Sequence, residues 1–232
     1  MAGLKVDWQH TPMYNTVMSV AVGVGLLLLV DFGRSLARRT PMVLEGWALA
    51  FGTLGVILTF LGGAMTVTWP LSNIAPFDNI IFGEPSLAFG VMLLAATVFL
   101  WRKGWADTKP EPSQLVSYFV EVARPISWFG AAMGLACFAI AAAGEYFVLF
   151  AAPPEEPLSG AFANYPLLEA TFISILYILV GVGAVLFPLF LLRLRPALGW
   201  IMGVCWTLAG LAFLIFGALN FFTHIGLIIH TS

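Results

Sequence analysis

Three glutamates are the side chains of this 232-residue chain best suited to chemistry, because each stands at one end of an apolar segment: Glu84, Glu145 and Glu169. Placing an ionisable group in the hydrocarbon region of a membrane is energetically unfavourable unless the group is paired with another charge or hydrated. Glu145 is the most informative, since no basic residue lies near it in sequence. Such acids can carry protons or coordinate a small cation. The alternative is that they hydrogen-bond to helix N-termini or stay protonated.

Three histidines, His10, His224 and His230, form a second candidate set. Neutral imidazole is the commonest transition-metal ligand, so these histidines and the nearby acids permit a metal site or a haem. His224 and His230 are six residues apart, whereas ligands on one continuous helix align at three or four. A metal or haem therefore stays an open alternative to ordinary interfacial histidines, and neither cofactor is predicted.

The last apolar segment carries a regular glycine pattern. Gly203, Gly210, Gly217 and His224 recur at intervals of seven residues, and Asn220 precedes His224 by one helical turn. Glycines on one stripe let a second backbone approach closely, and a sevenfold repeat keeps that stripe facing its partner. The pattern predicts a helix-packing seam, either inside the bundle or between molecules.

Composition identifies the surroundings of these residues. Hydrophobic residues make up 60% of the chain, charged residues only 9%, and the mean hydropathy is +0.96. A soluble domain needs far more charge, so most of the surface must face lipid. A net charge of -2 with no long basic tract gives no support to nucleic-acid binding. Phosphate-binding, paired-cysteine and serine-nucleophile motifs are missing from the sequence, which disfavours an enzyme.

Hydropathy predicts an all-α, polytopic membrane protein, a single domain of residues 1–232 built as a bundle of about six transmembrane helices. The stretch 114–124 mixes apolar and polar residues, and predicts either a separate interfacial helix or an extension of the fourth span. The predicted spans are about residues 14–32, 41–68, 86–101, 127–150, 167–192 and 198–225.

Basic residues predict the orientation, because lysine and arginine accumulate on the cytoplasmic side. Of the ten basic residues only Lys5 falls on the opposite side in the six-span arrangement. Both termini are therefore expected to face outward. The nine residues on the cytoplasmic side are Arg34, Arg38, Arg39, Arg102, Lys103, Lys109, Arg124, Arg193 and Arg195.

A resemblance rests on three short segments, Thr68-Trp69-Pro70-Leu71, Asn79-Ile80-Ile81-Phe82-Gly83-Glu84-Pro85 and Phe89-Gly90. With these the chain resembles a family of bacterial and archaeal membrane proteins called domain of unknown function 981. The likeness is strongest over residues 46–101. It implies a multi-pass protein of a prokaryotic cytoplasmic membrane, and brings no catalytic residues to carry over.

Three functions stay open at this point. The leading hypothesis is an accessory or structural subunit that packs against other membrane subunits, or against a second copy, in a larger complex. A small-solute or proton channel or transporter would use Glu145 with Glu84 or Glu169. A metal- or haem-binding redox protein would use the histidines.

Overall fold

A computed structural model describes residues 15–67, 77–104 and 112–231 of the chain. Within these residues the fold is all-α, and six helices are long and apolar enough to cross a membrane, which confirms the predicted fold class and number of helices. Lys5, Lys109, the segment 68–71 of the resemblance, the start of the first predicted span and the end of the second lie outside the described residues. The helices are α1 (Asn15–Ala37), α2 (Leu44–Val67), α3 (Glu84–Gly104), α4 (Pro112–Phe147), α5 (Pro166–Arg193) and α6 (Pro196–Thr231).

Three helices extend well beyond their predicted spans, and the first of them ends at Ala37, five residues after the predicted end. The fourth begins at Pro112, so the stretch 114–124 continues α4 and does not form a separate interfacial helix. The sixth reaches Thr231 and so includes His230. One turn of π-helix, Asn79–Gly83, leads into α3, and a short 3-10 helix, Ser159–Phe162, precedes α5.

The six helices pack as three antiparallel pairs, α1 with α6, α2 with α3, and α4 with α5. Small residues explain this pairing. A Cβ atom added to Gly23 of α1 would lie 2.5 Å from the backbone nitrogen of Leu214 of α6. Across the same seam the Ser19 hydroxyl donates a hydrogen bond to the Phe213 carbonyl, at 2.9 Å. Only glycine permits backbones this close, so dispersion contacts along the seam hold the pair together.

The other two pairs use the same device. In the α2–α3 pair a Cβ on Gly90 would lie 2.5 Å from the backbone nitrogen of Thr59. In the α4–α5 pair a Cβ on Gly134 would lie 2.9 Å from the carbonyl oxygen of Gly181. Each pair is thus a closely packed unit.

Packing between the pairs is looser. The contact of α5 with α6 is substantial, that of α1 with α2 is smaller, and α3 touches α4 only sparsely. Near the end of the bundle where α1 finishes, the Phe32 ring joins three helices through edge-on contacts with Trp47 and Phe119 at 5.2 and 5.3 Å. The pairs therefore surround an open interior instead of a continuous core.

Candidate functional site

The interior of the bundle is a cavity of about 1680 Å³, lined by residues of all six helices. We call one end of it the capped end, because residues 148–165, here called the cap, lie across it. The opposite end, where α1 finishes and α6 begins, is the basic end. The basic residues of the described turns there are Arg34, Arg38, Arg39, Arg102, Lys103, Arg193 and Arg195.

The cap begins with a reversal of the chain at the end of α4. Val148 adopts a left-handed conformation with φ of 52°, and the Leu149 amide donates to the carbonyl of Gly144 at 3.1 Å. This bond closes the helix terminus in the way a left-handed residue after a helix allows. Phe150 then folds back against Gly144, where a side chain would occupy the same space. Its ring stacks on Tyr177 inside the cavity, with the centroids 6.1 Å apart.

The cap is also tied to the last turns of α6. Pro157 packs directly on Gly226, where a Cβ would clash with its ring. The Nδ1 atom of His230 lies 2.9 Å from the carbonyl oxygen of Glu155. The next residue, Glu156, turns inward and its Oε1 atom lies 3.7 Å from Nε2 of His224. The cap thereby carries a carboxylate into the cavity.

Glu169 lines the cavity beside Glu156. Its Oε2 atom accepts a hydrogen bond from the Ala152 amide at 2.6 Å. This single bond satisfies one acceptor of a carboxylate that has several. Burial raises the pKa of Glu156, and the nearby Thr223 hydroxyl acts in the opposite direction, although its geometry falls short of a hydrogen bond. The two glutamates are close enough to repel one another electrostatically.

Asp78 is a third carboxylate of the capped half. It lines the cavity directly before the π-helical turn, and burial raises its pKa from 3.8 to about 6. The turn itself is fixed from across the bundle, because the buried Tyr177 hydroxyl donates to the Ile81 carbonyl at 2.7 Å. That bond links the α4–α5 pair to the segment that leads into α3.

Two polar groups on α6 complete the capped half. Asn220 is only 7% exposed and lines the cavity, yet no described residue hydrogen-bonds its side chain. One turn further along α6, the Nδ1 atom of His224 is buried and also lacks a hydrogen-bond partner among the described residues. Buried polar groups usually have partners, so these two can receive something from the cavity.

Charge divides the cavity lengthwise. Three acids occupy the capped half, and Arg34 is the single lysine or arginine among the described lining residues. Arg34 lies nineteen residues along α1 from Asn15, about 28 Å at the rise of an α-helix. Between the two ends the described lining is mainly aliphatic and aromatic. The cavity therefore suits a molecule with an apolar body and a positive group at the capped end.

The structure brings together only part of the residue set that the sequence suggests. Glu169 and His224 line the cavity, and His230 holds the cap from outside. Glu145 is half-buried and Glu84 is exposed, and neither lines the cavity. His10 lies outside the described residues. Among the described residues no three histidines, cysteines or acids are grouped so as to hold a metal ion.

The proposed glycine stripe of α6 serves two surfaces. Gly210 and Gly217 face α1 of the same chain, where added Cβ atoms would meet Gly23 and Ser19 at 3.0 and 2.8 Å. Gly203 lines the cavity, and the nearest atom to an added Cβ is one of Val30, at 4.0 Å.

Sequence reasoning did not select Glu156 and Asp78. The proline-rich run Pro153-Pro154-Glu155-Glu156-Pro157 indicates a surface loop, and nothing in it signals a return into the bundle. Asp78 precedes a helix, where an acid is usual. Their membership of the site depends on tertiary contacts.

Helices of this length and apolarity, packed through glycine seams around an internal cavity, define a polytopic α-helical membrane protein. A sequence model of the family described as protein of unknown function (DUF981) matches residues 13–226, and the chain belongs to that family. The resemblance seen in the sequence is thereby confirmed. No curated protein and no solved structure matches the chain.

Proposed function

We propose that this protein is a carrier that binds a small solute in its central cavity and moves it across the membrane. One observation carries the proposal, a cavity of about 1680 Å³ that is lined from the cap to Arg34. Pockets for small molecules are commonly about 300–1,000 Å³, so the volume accommodates a solute with room to reorient. A bundle whose role is only to support other subunits needs no such space.

The loose contacts between helix pairs support movement as well as binding. Carriers expose a central site by rocking rigid helix units against one another. Here the glycine seams make each pair a rigid unit, while α3 and α4 touch sparsely. The α3–α4 boundary is the natural place for the bundle to open.

The location of the protein belongs to the same proposal. The basic residues gathered at the basic end support a cytoplasmic position for that end, by the preference of lysine and arginine. The cap and both termini then lie on the outer side of a prokaryotic cytoplasmic membrane. Solute would reach the acids of the capped half from outside.

The accessory-subunit hypothesis stays a prediction, as does self-association. Exposed apolar residues such as Phe60 and Val67 on α2 can be covered by lipid alone, and they favour no particular partner. The metal or haem hypothesis likewise stays a prediction. Of its three candidate histidines, His224 and His230 lie among the described residues.

Solute flux in proteoliposomes tests the carrier proposal. Purified protein would be reconstituted in liposomes loaded with a panel of small amines, carboxylates and neutral solutes, and release would be followed over time. We expect at least one class to leave faster than from protein-free liposomes.

The matched control is Gly203→Trp, which places a large ring in the cavity where an added Cβ meets nothing closer than 4.0 Å. Flux should fall to the protein-free rate in this variant while its elution volume stays unchanged. Equal release from wild-type, Gly203→Trp and protein-free liposomes for every solute would overturn the proposal.

A further inference from the structure

The capped half of the cavity has an unusual imbalance between acceptors and donors. Glu156, Glu169 and Asp78 bring three carboxyl groups to one region, and no lysine or arginine among the described lining residues lies near them. Glu156 has the His224 ring at 3.7 Å and Glu169 has the Ala152 amide, but neither is a permanent positive charge. A cation bound beside buried carboxylates removes much of the cost of burying them. Acids alone do not establish a ligand site, because they can also take up protons.

A second and independent observation comes from α6. The Asn220 side chain is 7% exposed, lines the cavity and has no hydrogen-bond partner among the described residues. A side-chain amide that faces a cavity without a protein partner can accept a hydrogen bond from a bound donor. The Asn220 side chain has an NH2 donor as well, but its carbonyl oxygen is an acceptor like the carboxylate oxygens. These oxygens can all accept hydrogen bonds from one positively charged donor.

Aromatic rings line the cavity next to these acceptors. Phe150 is stacked on Tyr177, and Phe213 meets Tyr177 edge-on at a centroid distance of 6.3 Å. Ring faces attract cations, and their edges and the aliphatic wall beyond suit an apolar body. An anion would instead meet like charge at this end and find its one counter-charge, Arg34, at the other.

We propose that the cavity takes a protonated amine that carries an apolar body, with the ammonium group among Glu156, Glu169, Asp78 and Asn220. The apolar part extends from Phe150 and Tyr177 toward the basic end. This inference rests on the proposed carrier function and names its substrate class.

Calorimetric binding to the full chain in nanodiscs of neutral phosphatidylcholine tests the substrate class. The probes are protonated 2-phenylethylamine and 3-phenylpropanoate, which share the same apolar body and differ in the sign of their charge. We expect the amine to bind about tenfold more tightly or better, the size of one charge-assisted hydrogen bond. Equal or tighter binding of the carboxylate would overturn the inference.

Substitutions then locate the ammonium group. The double variant Glu156→Gln with Glu169→Gln should weaken amine binding by about tenfold or more, because both near charges are lost. The matched control, Glu84→Gln with Glu145→Gln, removes two acids from outside the cavity and should bind as the wild type does. If both double variants bind the amine like the wild type, the inference is wrong.

If the Glu156/Glu169 variant does not fold, Asn220→Ala gives the same test through a neutral group, and undiminished amine affinity in that variant overturns the inference. The carrier proposal can hold even if this inference is wrong. In that case carboxylates or neutral solutes would cross the membrane without a preference for amines, and Gly203→Trp would block their flux.

Discussion

The seams within helix pairs and the space between pairs are built on opposite principles. Within a pair, glycines such as Gly23 and Gly90 bring backbones into direct contact and leave no room for a single methyl group. Between pairs, six helices leave a cavity of about 1680 Å³. Lipid covers apolar side chains as well as a neighbouring helix does, so their burial does not drive the helices together. Dispersion contacts between closely packed helices therefore stabilise a membrane bundle. The open interior therefore gives up stability, and we attribute it to function.

The two regions meet on α6, and this makes the contrast testable within one helix. Gly210 and Gly203 are seven residues apart on the same stripe, yet Gly210 lies against α1 while Gly203 lines the cavity. The same substitution at both positions compares the regions directly.

The largest expected effect is that of Gly210→Leu. Its side chain would overlap the Gly23 carbonyl and the Leu27 side chain, 3.0 Å from an added Cβ, so α1 and α6 must separate. Overpacking of this kind costs about 1–3 kcal/mol, and backbone contact places this case at the upper end. Thermal unfolding in detergent micelles should show a clear fall in Tm. Gly203→Leu, the control, should unfold near the wild-type temperature, and equal losses in both variants would remove the distinction between seam and cavity.

Tyr177→Phe tests a contact that bridges the pairs. The Tyr177 hydroxyl donates to the buried Ile81 carbonyl, so the variant loses this one hydrogen bond between the pairs. The expected loss of stability is about 0.5–1.5 kcal/mol. Tyr146→Phe is the matched control, since Tyr146 is 82% exposed. A Tm for Tyr177→Phe equal to that of the control would show that the bridge contributes nothing.

The sequence predicts the seams and spans far better than it predicts the interior. Hydropathy alone finds six helices, because an apolar stretch of sufficient length has few alternatives to crossing the membrane. The sevenfold glycine repeat of α6 likewise reports packing directly, although not which neighbour it meets. These are local properties, and each can be predicted from one segment of the sequence.

Which residues line the cavity depends on how each helix is rotated about its axis and on where the cap lies. Neither can be predicted from one segment of the sequence alone. Cys137 lines the cavity, and Glu145 lies two turns further along α4, about 80° round the helix, so it misses the interior. Glu156 reaches the interior from a cap that is held on a different helix, where Pro157 packs on Gly226 and His230 contacts the Glu155 carbonyl. Glu169 and His224 were identified for their chemical type, and their proximity to Glu156 is a tertiary property.

Asp78→Asn tests how much an ionised carboxylate in the cavity destabilises the protein, by comparing Tm at two pH values. Burial raises the pKa of Asp78 from 3.8 to about 6, so the folded state holds a proton that the unfolded state releases between these values. The contribution of Asp78 to stability is therefore most favourable at low pH and becomes less favourable as pH rises from about 4 to about 6. At pH 7.5 the variant should unfold at a higher temperature than the wild type, with a smaller difference near pH 4.

Glu84→Gln is the control for this measurement, since Glu84 is exposed and lies outside the cavity. Its Tm should follow the wild type at both pH values. Glu156 contributes a slope of the same sign, because its pKa is also raised by burial, so the Asp78 variant should keep part of the pH dependence. A lower Tm for Asp78→Asn at pH 7.5 would contradict the view that the ionised group is destabilising.

The smallest expected effect is that of His230→Ala, which loosens the cap without touching either the seams or the cavity wall. The bond between His230 and the Glu155 carbonyl is exposed, so its loss should change stability by no more than about 0.5 kcal/mol. Local opening should be more sensitive. Amide hydrogens of Glu156 and Gly160, which donate to cap carbonyls, should exchange faster with solvent in the variant. Arg195→Ala at the basic end should leave their exchange unchanged. If His230→Ala also leaves it unchanged, Pro157 on Gly226 holds the cap by itself, and opening of the cavity at this end depends on apolar packing alone.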